Sequence, residues 1–327
     1  YISTVAVSGN EVAFASGKGM NAINTLKIFN TATNMMTLQL SIDTNTDFAE
    51  IGDIEFNANW VLVKVFIDSS HTKAECFAID RKANKPILLI PYDFEEKHAV
   101  VTKIALVQDK AYVAVNFYKK EDEFLLSSNF IDSKIIVVDL SSHDTQVESE
   151  ETQGYVTDLG HTDKYIVYIT RETSDFALSV QDKNLGLKTA AVYRGSFISG
   201  LNYISNSSSK SFISCTCDDA VIFANYGRLL LMPLENFKNL QLLPIISNQI
   251  IELESASDKY IACLRLGGDI LIMNRFNRKQ VFIENPQTQT DFLDNTLSIC
   301  YENLAFIKSS GSHGDSIIFL NLKDNGL

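Results

Sequence analysis

The sequence predicts an all-β protein assembled from repeated antiparallel units of four short strands. The first observation is that apolar residues occur in runs of about 4–8, rich in Val, Ile, Phe, Tyr and Leu, with turn residues between them. The second is that the i, i+3, i+4 spacing of an amphipathic helix is nowhere sustained. The third is that groups of such runs recur with a period of about 40–50 residues, which is typical of repeat architectures.

The clearest unit covers Ser257–Asn285. Its first two apolar runs, Tyr260–Leu266 and Ile270–Met273, are separated by Gly267–Gly268–Asp269. Glycine adopts positive φ without steric cost, so this triplet predicts a hairpin turn. A third run, Val281–Ile283, follows a polar segment. The unit therefore predicts consecutive strands of an antiparallel meander.

Seven such units account for the 327 residues. A small sheet of this kind would leave both faces wet by itself, whereas neighbours arranged around an axis bury them. We therefore predict a single domain, residues 1–327, folded as a seven-bladed β-propeller of four-stranded antiparallel blades. The seventh unit ends on a third strand, so its blade is expected to be incomplete. The predicted blades are 1–41, 51–91, 100–150, 154–194, 196–246, 249–285 and 295–323.

Two recurring polar signals align the units. An Asp-Lys pair precedes the second strand at 109–110, 163–164 and 258–259. An Asn or Asp ends the third strand, where its short side chain can accept hydrogen bonds from the backbone of the following turn. The residues at this second position are Asn30, Asp80, Asp139, Asp182, Asn274 and Asn321.

These third-strand ends carry a resemblance to a known family. WD40-type propellers often have Trp-Asp at this position and Gly-His before the first strand. Here the acid or amide is present, while Trp60 lies in a second strand and Gly160–His161 precedes one. The chain resembles a strongly diverged WD40-type β-propeller over its whole length, in architecture. The resemblance implies a rigid platform for other proteins and assigns no functional residue.

The composition limits the classes of function. The chain has 28 basic and 40 acidic residues, a net charge of −12, and 46% hydrophobic residues. Binding a phosphate backbone needs clustered Lys and Arg. The densest basic group, Arg275, Arg278 and Lys279, is equally explained as a solvated turn. We expect protein partners with a basic contact surface, and no nucleic acid contact through this chain alone.

The cysteines and the apolar runs bear on the compartment. An odd number of cysteines, scattered through apolar runs, indicates buried reduced thiols and a cytoplasmic or nuclear protein. These are Cys76, Cys215, Cys217, Cys263 and Cys300. No apolar run approaches the roughly 20 residues that span a bilayer. The first residue is Tyr1 rather than Met, so we expect a piece of a longer protein.

Three elements are candidate docking sites. The polar insertion Lys119–Ser133 places Phe124, Leu125 and Phe130 beside charged residues, a mix that a docking loop or a covering loop would both show. An acidic run contains Glu148, Glu150 and Glu151 and favours a basic partner, if it is more than a solvated loop. The incomplete last blade predicts an unpaired strand edge at the seam, which invites strand addition by a partner.

Candidate catalytic chemistry is sparse. Asp53, Asp158 and Glu252 fall in first strands, which line a propeller channel, where they would serve acid–base chemistry or only hold water. Cys215 and Cys217 lack further ligands for a zinc site. The segments 17–19 and 309–312 lack the pattern of a phosphate-binding loop. The histidines lie in or beside predicted turns, outside any catalytic motif: His71, His98, His143, His161 and His313.

The sequence therefore predicts a non-enzymatic interaction scaffold that is a regulatory or structural subunit of a protein complex, with no catalytic residue, cofactor or metal. Two alternatives stay open. A non-catalytic subunit of an RNA-processing or RNA-modifying complex would show a contiguous Lys/Arg patch on one face. An enzyme would gather its first-strand acids around the channel.

Overall fold

The structure is a computed structural model. It describes residues 2–17, 24–44, 46–120, 129–142, 151–152, 154–161, 165–172, 175–182, 188–194, 213–216, 220–225, 228–233, 241–243, 251–265, 269–283, 296–309 and 314–324. Within these ranges the regular elements are β-strands. The described residues contain no helix of the length and apolarity needed to cross a membrane.

The strands of the described residues form seven antiparallel sheets, and within each sheet the strands pair in the order of the sequence. The first sheet has β1 (Ile2–Ser8), β2 (Glu11–Ser16), β3 (Thr25–Asn30) and β4 (Met35–Ser41). The second has β5 (Glu50–Phe56), β6 (Trp60–Phe66), β7 (Ala74–Asp80) and β8 (Lys85–Ile90). The third has β9 (Asp93–Phe94), β10 (Lys97–Val107), β11 (Lys110–Lys119), β12 (Phe130–Asp139) and β13 (Glu151–Thr152).

The remaining sheets continue the same pattern. The fourth has β14 (Tyr155–His161), β15 (Tyr165–Glu172), β16 (Asp175–Asp182) and β17 (Lys188–Arg194). The fifth has β18 (Ile213–Thr216), β19 (Ala220–Asn225), β20 (Arg228–Pro233) and β21 (Gln241–Leu243). The sixth has β22 (Ile251–Ala256), β23 (Tyr260–Arg265), β24 (Ile270–Asn274) and β25 (Gln280–Ile283). The seventh has β26 (Leu297–Cys300), β27 (Asn303–Ser309) and β28 (Asp315–Asn321).

One strand of each sheet faces a common axis. We call β1, β5, β10, β14, β18, β22 and β26 the inner strands. Each contacts the inner strand of the next sheet along the chain, and β26 returns to contact β1. The sheets are therefore arranged radially around an axis, which is the arrangement of a β-propeller.

The apolar cores lie between successive sheets. In β6, Val61 and Val63 pack toward the first sheet, while Trp60 and Leu62 pack toward the third. The same division occurs in β23, where alternate residues face the fifth and the seventh sheets. Because both faces of such a strand are covered, its sequence is a continuous apolar run and not an alternation of apolar and polar residues.

A β-bulge recurs near the start of the inner strands. The pairing register shifts in β1, β5, β10, β14 and β22 at the same step, just before Thr4, Asp53, Lys103, Asp158 and Leu253. A bulge disrupts the ladder and leaves backbone groups unpaired. Neighbouring sheets satisfy several of these groups: the Ser3 hydroxyl donates to the Ile51 carbonyl at 2.8 Å, and the Asn116 amide donates to the Val156 carbonyl at 3.1 Å.

The predicted role of the third-strand Asn or Asp is confirmed where the structure describes that side chain. Its Oδ1 accepts from the backbone amides two and three residues later, as Asn274 does from Phe276 and Asn277 at 3.0 and 3.3 Å. The same pair of bonds occurs at Asn30, Asp80, Asp139 and Asn321. The side chain of Asp182 lies outside the described residues.

The turns at this end of the ring are also linked from sheet to sheet. A side chain in one sheet donates to the carbonyl of a turn residue with positive φ in the next sheet. Asn57 donates to Gln108, Ser257 to Tyr301, and Asn303 to Gly9, at 2.5, 2.8 and 2.8 Å. The last of these bonds crosses the seam between the seventh and first sheets, which also pack face to face through Val5, Ala305 and their neighbours.

Two features depart from the expectations. The third sheet has five strands, because the short β9 pairs with the first residues of β10, which begins at Lys97 and not near Val101. The predicted insertion 119–133 was too long, since β12 begins at Phe130 and continues the ladder with β11. The expectation of an incomplete last blade agrees with the described residues, where the seventh sheet has three strands.

Replacing Gly52 by Ala is expected to destabilise the protein by about 1–3 kcal/mol, because the bulge leaves no room for a β-carbon. An added Cβ would overlap the buried ring of Phe66. Urea unfolding would measure the loss. Adding Phe66→Leu to Gly52→Ala should recover part of it, because the smaller side chain opens the site. Equal stability of Gly52→Ala and the unchanged protein would contradict this packing.

Candidate functional site

The residues proposed for docking separate into two groups. Phe124, Leu125, Glu148 and Glu150 lie outside the described residues. Glu151 belongs to the short strand β13, which pairs with β12 through Lys134. Phe130 opens β12 and is half-buried. Of these six residues, only Phe130 has its side chain within the described part of the chain.

Phe130 packs between the third and fourth sheets. Its ring centroid lies 4.0 Å from that of Tyr155 on β14 and 5.9 Å from that of Tyr118 on β11, the latter edge to face. Burial raises the pKa of both tyrosines. The neighbouring Ile131 points the other way and is exposed. Phe130 thus fastens two sheets together, while Ile131 is the residue that this end of β12 presents to solvent.

Two of the predicted first-strand acids, Asp53 and Asp158, occupy equivalent positions just after an inner-strand bulge, whereas Glu252 lies one position earlier, within the bulge of β22. Asp53 and Asp158 are both buried, and the side chain of Glu252 lies outside the described residues. Lys103, at the equivalent position of the sheet between them, places its Nζ 3.1 Å from Asp53 Oδ2. Asp158 Oδ1 accepts from the backbone amide of Leu159 at 2.9 Å. Asp53 is therefore engaged in an ion pair and does not stand as a lone carboxylate.

A second lysine lies close to Asp53 and Lys103. We call Asp53, Lys103, Lys64 and Glu55 the axial group. Lys64 lies directly opposite Asp53 in the β5–β6 ladder and is buried. Its Nζ donates to the Thr102 carbonyl at the bulge of β10, at 3.1 Å, and lies 4.7 Å from the Phe66 ring centroid. Buried charges are costly unless paired, so this lysine joins the second and third sheets as a hydrogen-bonded cation.

Glu55 is the unusual member of the axial group. It follows Asp53 by two residues on β5, so both side chains face the same side of the strand. Burial, reinforced by the nearby Asp53 carboxylate, raises the pKa of Glu55 to about 8, although Lys103 acts in the opposite direction. Glu55 retains some exposure to solvent. Sequence reasoning missed it, because its position could not be distinguished from an ordinary polar residue near a turn.

The histidines in the described residues have structural contacts. His71 Nε2 lies 3.1 Å from Glu50 Oε2, and its ring packs 4.6 Å from that of Phe66. His98 Nδ1 lies 3.0 Å from Asp93 Oδ1 and stacks on Tyr92. His161 ends β14, whereas His143 and His313 lie outside the described residues. The imidazoles of His71 and His98 are thus each held by a carboxylate and by aromatic packing.

The side chains of the two cysteines that were considered as metal ligands lie outside the described residues. Cys215 belongs to β18, its side chain is outside the described residues, and so is Cys217. Across the described ranges, no three His, Cys, Asp or Glu side chains are grouped as metal ligands would be. Cys76, Cys263 and Cys300 are not joined in disulfides among the described residues, and burial raises the pKa of Cys76 and Cys300.

The outer edge of the seventh sheet is the most distinctive feature for binding. β28 pairs with β27 on one side, and no described strand covers its other edge. Its residues Ile317, Ile318, Phe319 and Leu320 are half-buried, whereas the corresponding strand β24 in the sixth sheet is buried throughout. β24 is covered by β25. Among the described residues, the seventh sheet therefore leaves partly exposed the apolar side chains at positions that a fourth strand helps to bury in the sixth sheet.

Comparisons with known proteins identify the fold. No protein-family model and no curated protein sequence matches the chain. Among solved structures, the β-propeller domain of Myceliophteria thermophila Cps50 (Swd1) is similar, with a TM-score of 0.57, 12% identity, and coverage of 97% of this chain and 96% of that one. A Mycobacterium tuberculosis puromycin-hydrolyzing peptidase is similar at a TM-score of 0.64 and 11% identity, covering 98% of this chain and 52% of its own.

A third similar structure is PorZ, a surface component of the type-IX secretion system of Porphyromonas gingivalis. It has a TM-score of 0.61 and 12% identity, with coverage of 98% of this chain and 37% of PorZ. The chain thus spans about half of the peptidase and just over a third of PorZ. At such low identities these likenesses establish the β-propeller fold and carry no function across. The chain is a strongly diverged β-propeller.

Truncating Phe130 distinguishes a packing residue from a docking residue. Phe130→Ala is expected to lower the free energy of unfolding by about 1–3 kcal/mol, because it removes the ring between Tyr118 and Tyr155. The matched variant Ile131→Ala, at an exposed position, should change it by less than about 0.5 kcal/mol. Urea unfolding measures both values. Equal effects of the two variants would show that Phe130 does not fasten the sheets.

Replacing Glu55 by Gln should change how stability depends on pH. A carboxyl whose pKa is raised to about 8 in the folded state contributes fully below pH 4.5, its unfolded value, and loses that contribution as the pH rises through 8. Above that range Glu55→Gln should be more stable than the unchanged protein by about 1–3 kcal/mol, and below pH 4.5 the two should be equal.

Glu11 supplies a control of opposite sign. Its hydrogen bonds with Arg81 hold the pKa of Glu11 below its usual value, so its contribution is present at neutral pH and is lost as the pH falls. Glu11→Gln should therefore be less stable than the unchanged protein at neutral pH. Urea unfolding across the pH range measures both variants. A Glu55→Gln curve parallel to that of the unchanged protein would contradict the raised pKa.

Proposed function

We propose that this protein is a non-enzymatic interaction scaffold, a seven-bladed propeller that acts as a regulatory or structural subunit of a protein complex. The observation that carries the proposal is the outer edge of β28, which no strand of the described residues covers. An extended segment of a partner would pair with this edge and become the fourth strand of the seventh sheet. Main-chain hydrogen bonds supply affinity in this mode, and alternate side chains supply specificity.

The direction of the backbone groups of β28 supports this mode of binding. In an antiparallel ladder, alternate residues of a strand point their amides toward the same neighbour. The amide of Asn274, which ends β24, donates outward to Lys279, and the amide of the next residue donates inward to Lys259. Asn321 holds the same place in β28, and Leu322 donates inward to Glu302. By alternation the amides of Ile317 and Phe319 face the edge that no described strand covers.

The axial group supports a role without catalysis. Asp53 is paired with Lys103, and Asp158 accepts a backbone hydrogen bond, so neither is positioned as an unengaged acid or base. The net charge of −12 favours partners with a basic contact surface, whose association weakens as salt rises. The free thiols among the described residues favour a cytoplasmic or nuclear location.

Blocking the edge of β28 tests the proposal. Phe319→Pro removes an outward amide and adds a ring at the edge, while it leaves the bonds to β27 in place. Phe319→Leu retains the amide and serves as the matched control. The partner is expected to co-purify with the unchanged protein and with Phe319→Leu, and to be lost with Phe319→Pro. Thermal unfolding would confirm that all three proteins are folded.

Hydrogen exchange gives a second readout that needs no variant. In the isolated protein the amides of Ile317 and Phe319 should exchange quickly, and those of Ile318 and Leu320 slowly. In the purified complex all four should be protected. If Ile317 and Phe319 are already protected in the isolated protein, the edge is covered and the proposal is wrong. It is equally wrong if partners bind to Phe319→Pro as they do to Phe319→Leu.

A further inference from the structure

We propose that the turn surface of the sixth and seventh sheets is a second docking site, which binds an acidic peptide segment with an apolar side chain. We call it the Phe276 surface and define it as the turns 257–259, 275–279 and 301–302. It lies at the end of the ring where the inner strands finish. It is independent of the β28 edge, since no residue is shared between them.

Two aromatic side chains stand at turn tips of this surface. Phe276 is 71% exposed and Tyr301 is 65% exposed, the two highest values among the large hydrophobic residues of the described chain. The same turn position that holds Phe276 in the sixth sheet holds Ala32, Lys82, Ser141 and Lys323 in other sheets. A phenylalanine is therefore not required by the turn.

Tyr301 is also an unfavourable choice for its backbone conformation. It has a φ of 53°, in the left-handed region that bulky residues avoid. Gly9 and Gln108 occupy the same turn position in the first and third sheets, with φ of 58° and 55°. Glycine would satisfy this position without strain, so the aromatic ring at Tyr301 calls for a reason other than the turn.

The surface is rigid and continuous. Arg275 is buried beneath Phe276: its guanidinium carbon lies 5.7 Å from the Phe276 ring centroid, and Nη1 donates to the Asp258 carbonyl at 2.6 Å. Its backbone amide donates to the Lys259 carbonyl at 2.8 Å. On the other side, the Ser257 hydroxyl donates to the Tyr301 carbonyl at 2.8 Å. Phe276 and Tyr301 therefore flank a single fixed turn, so little order is lost on binding.

The charge of this surface is opposite to that of the protein. Arg275 is buried and Lys259 lies 3.5 Å from Glu302, which leaves Arg278 and Lys279 against the Asp258 carboxylate, in a chain of net charge −12. Arg278 and Lys279 are exposed beside Phe276. Cationic groups around exposed rings complement a segment rich in Asp or Glu that inserts an apolar residue. The net charge of −12 over the rest of the chain opposes a long phosphate backbone more than a short acidic peptide, which favours the peptide.

Fluorescence anisotropy with defined probes tests the proposal on the full chain. The acidic probe is a fluorescein-labelled peptide of alternating Glu and Leu, and the neutral probe is its Gln-Leu counterpart. A labelled oligouridine reports nucleic acid binding. The acidic peptide is expected to bind saturably, more tightly than either other probe, and more weakly as salt rises.

Variants then locate the site. Phe276→Ala should weaken binding of the acidic peptide about tenfold, as the loss of a central aromatic anchor does. Arg278→Glu combined with Lys279→Glu should weaken it further and reduce its salt dependence. Lys82→Glu, at the tip of the equivalent exposed turn of the second sheet, is the matched control and should leave affinity unchanged. These side chains are exposed, so the variants are expected to fold, and thermal unfolding would verify this.

Several results would overturn the proposal. Absence of saturable binding, equal affinity for the acidic and neutral peptides, or tighter binding of oligouridine would each do so. Equal affinity of Phe276→Ala and the unchanged protein would also overturn it, because the peptide would then bind elsewhere. Failure of Phe319→Pro to affect the natural partner would bear only on the β28 edge, so the two proposals fail separately.

Discussion

The structure depends on one constraint: in the described residues, central strands of the small sheets carry apolar side chains on both of their faces. A sheet of three to five short strands cannot bury two faces by itself, and a pair of sheets would still leave two faces exposed. A closed ring gives every sheet a neighbour on each side. The buried strands β6, β11 and β23 show how completely this is achieved, with side chains of alternate residues serving opposite neighbours. The contact of β26 with β1 is the step that closes the ring.

The ring creates a second difficulty at its axis, where the inner strands are edges. Their free backbone groups and the recurring bulges need partners that a sheet neighbour would otherwise supply. Side chains from adjacent sheets provide them: Ser3 and Lys64 bond to inner-strand carbonyls, and Asn116 bonds to both the amide and the carbonyl of Val156. The polar side chains of Ser3, Lys64 and Asn116 are therefore explained by hydrogen bonding to the inner strands.

Much of this architecture could be predicted from the sequence, because local signals repeated. Continuous apolar runs indicated strands buried on both faces, and the turn-forming Asn or Asp at Asn30, Asp80 and Asn274 acts as expected. The five-stranded third sheet could not be predicted, since β9 has two residues and no apolar run. Nor could the roles of Phe130, Glu55 and Tyr301, which depend on residues distant in the chain. A basic turn at Arg275–Lys279 was visible, but its exposed Phe276 and buried Arg275 required coordinates.

The alternation within the buried strands has a consequence for how the protein tolerates change. Val61 and Leu62 are adjacent in the chain, yet they belong to different cores on opposite sides of the second sheet. Each apolar core lies between two neighbouring sheets, and each sheet contributes side chains to the cores on both of its sides. Residues that are adjacent in the chain then pack in different cores, while residues far apart in the sequence pack in the same core. Substitutions can therefore accumulate in one of these cores while the packing of the next core is unchanged, so the shape of the ring constrains the sequence only loosely.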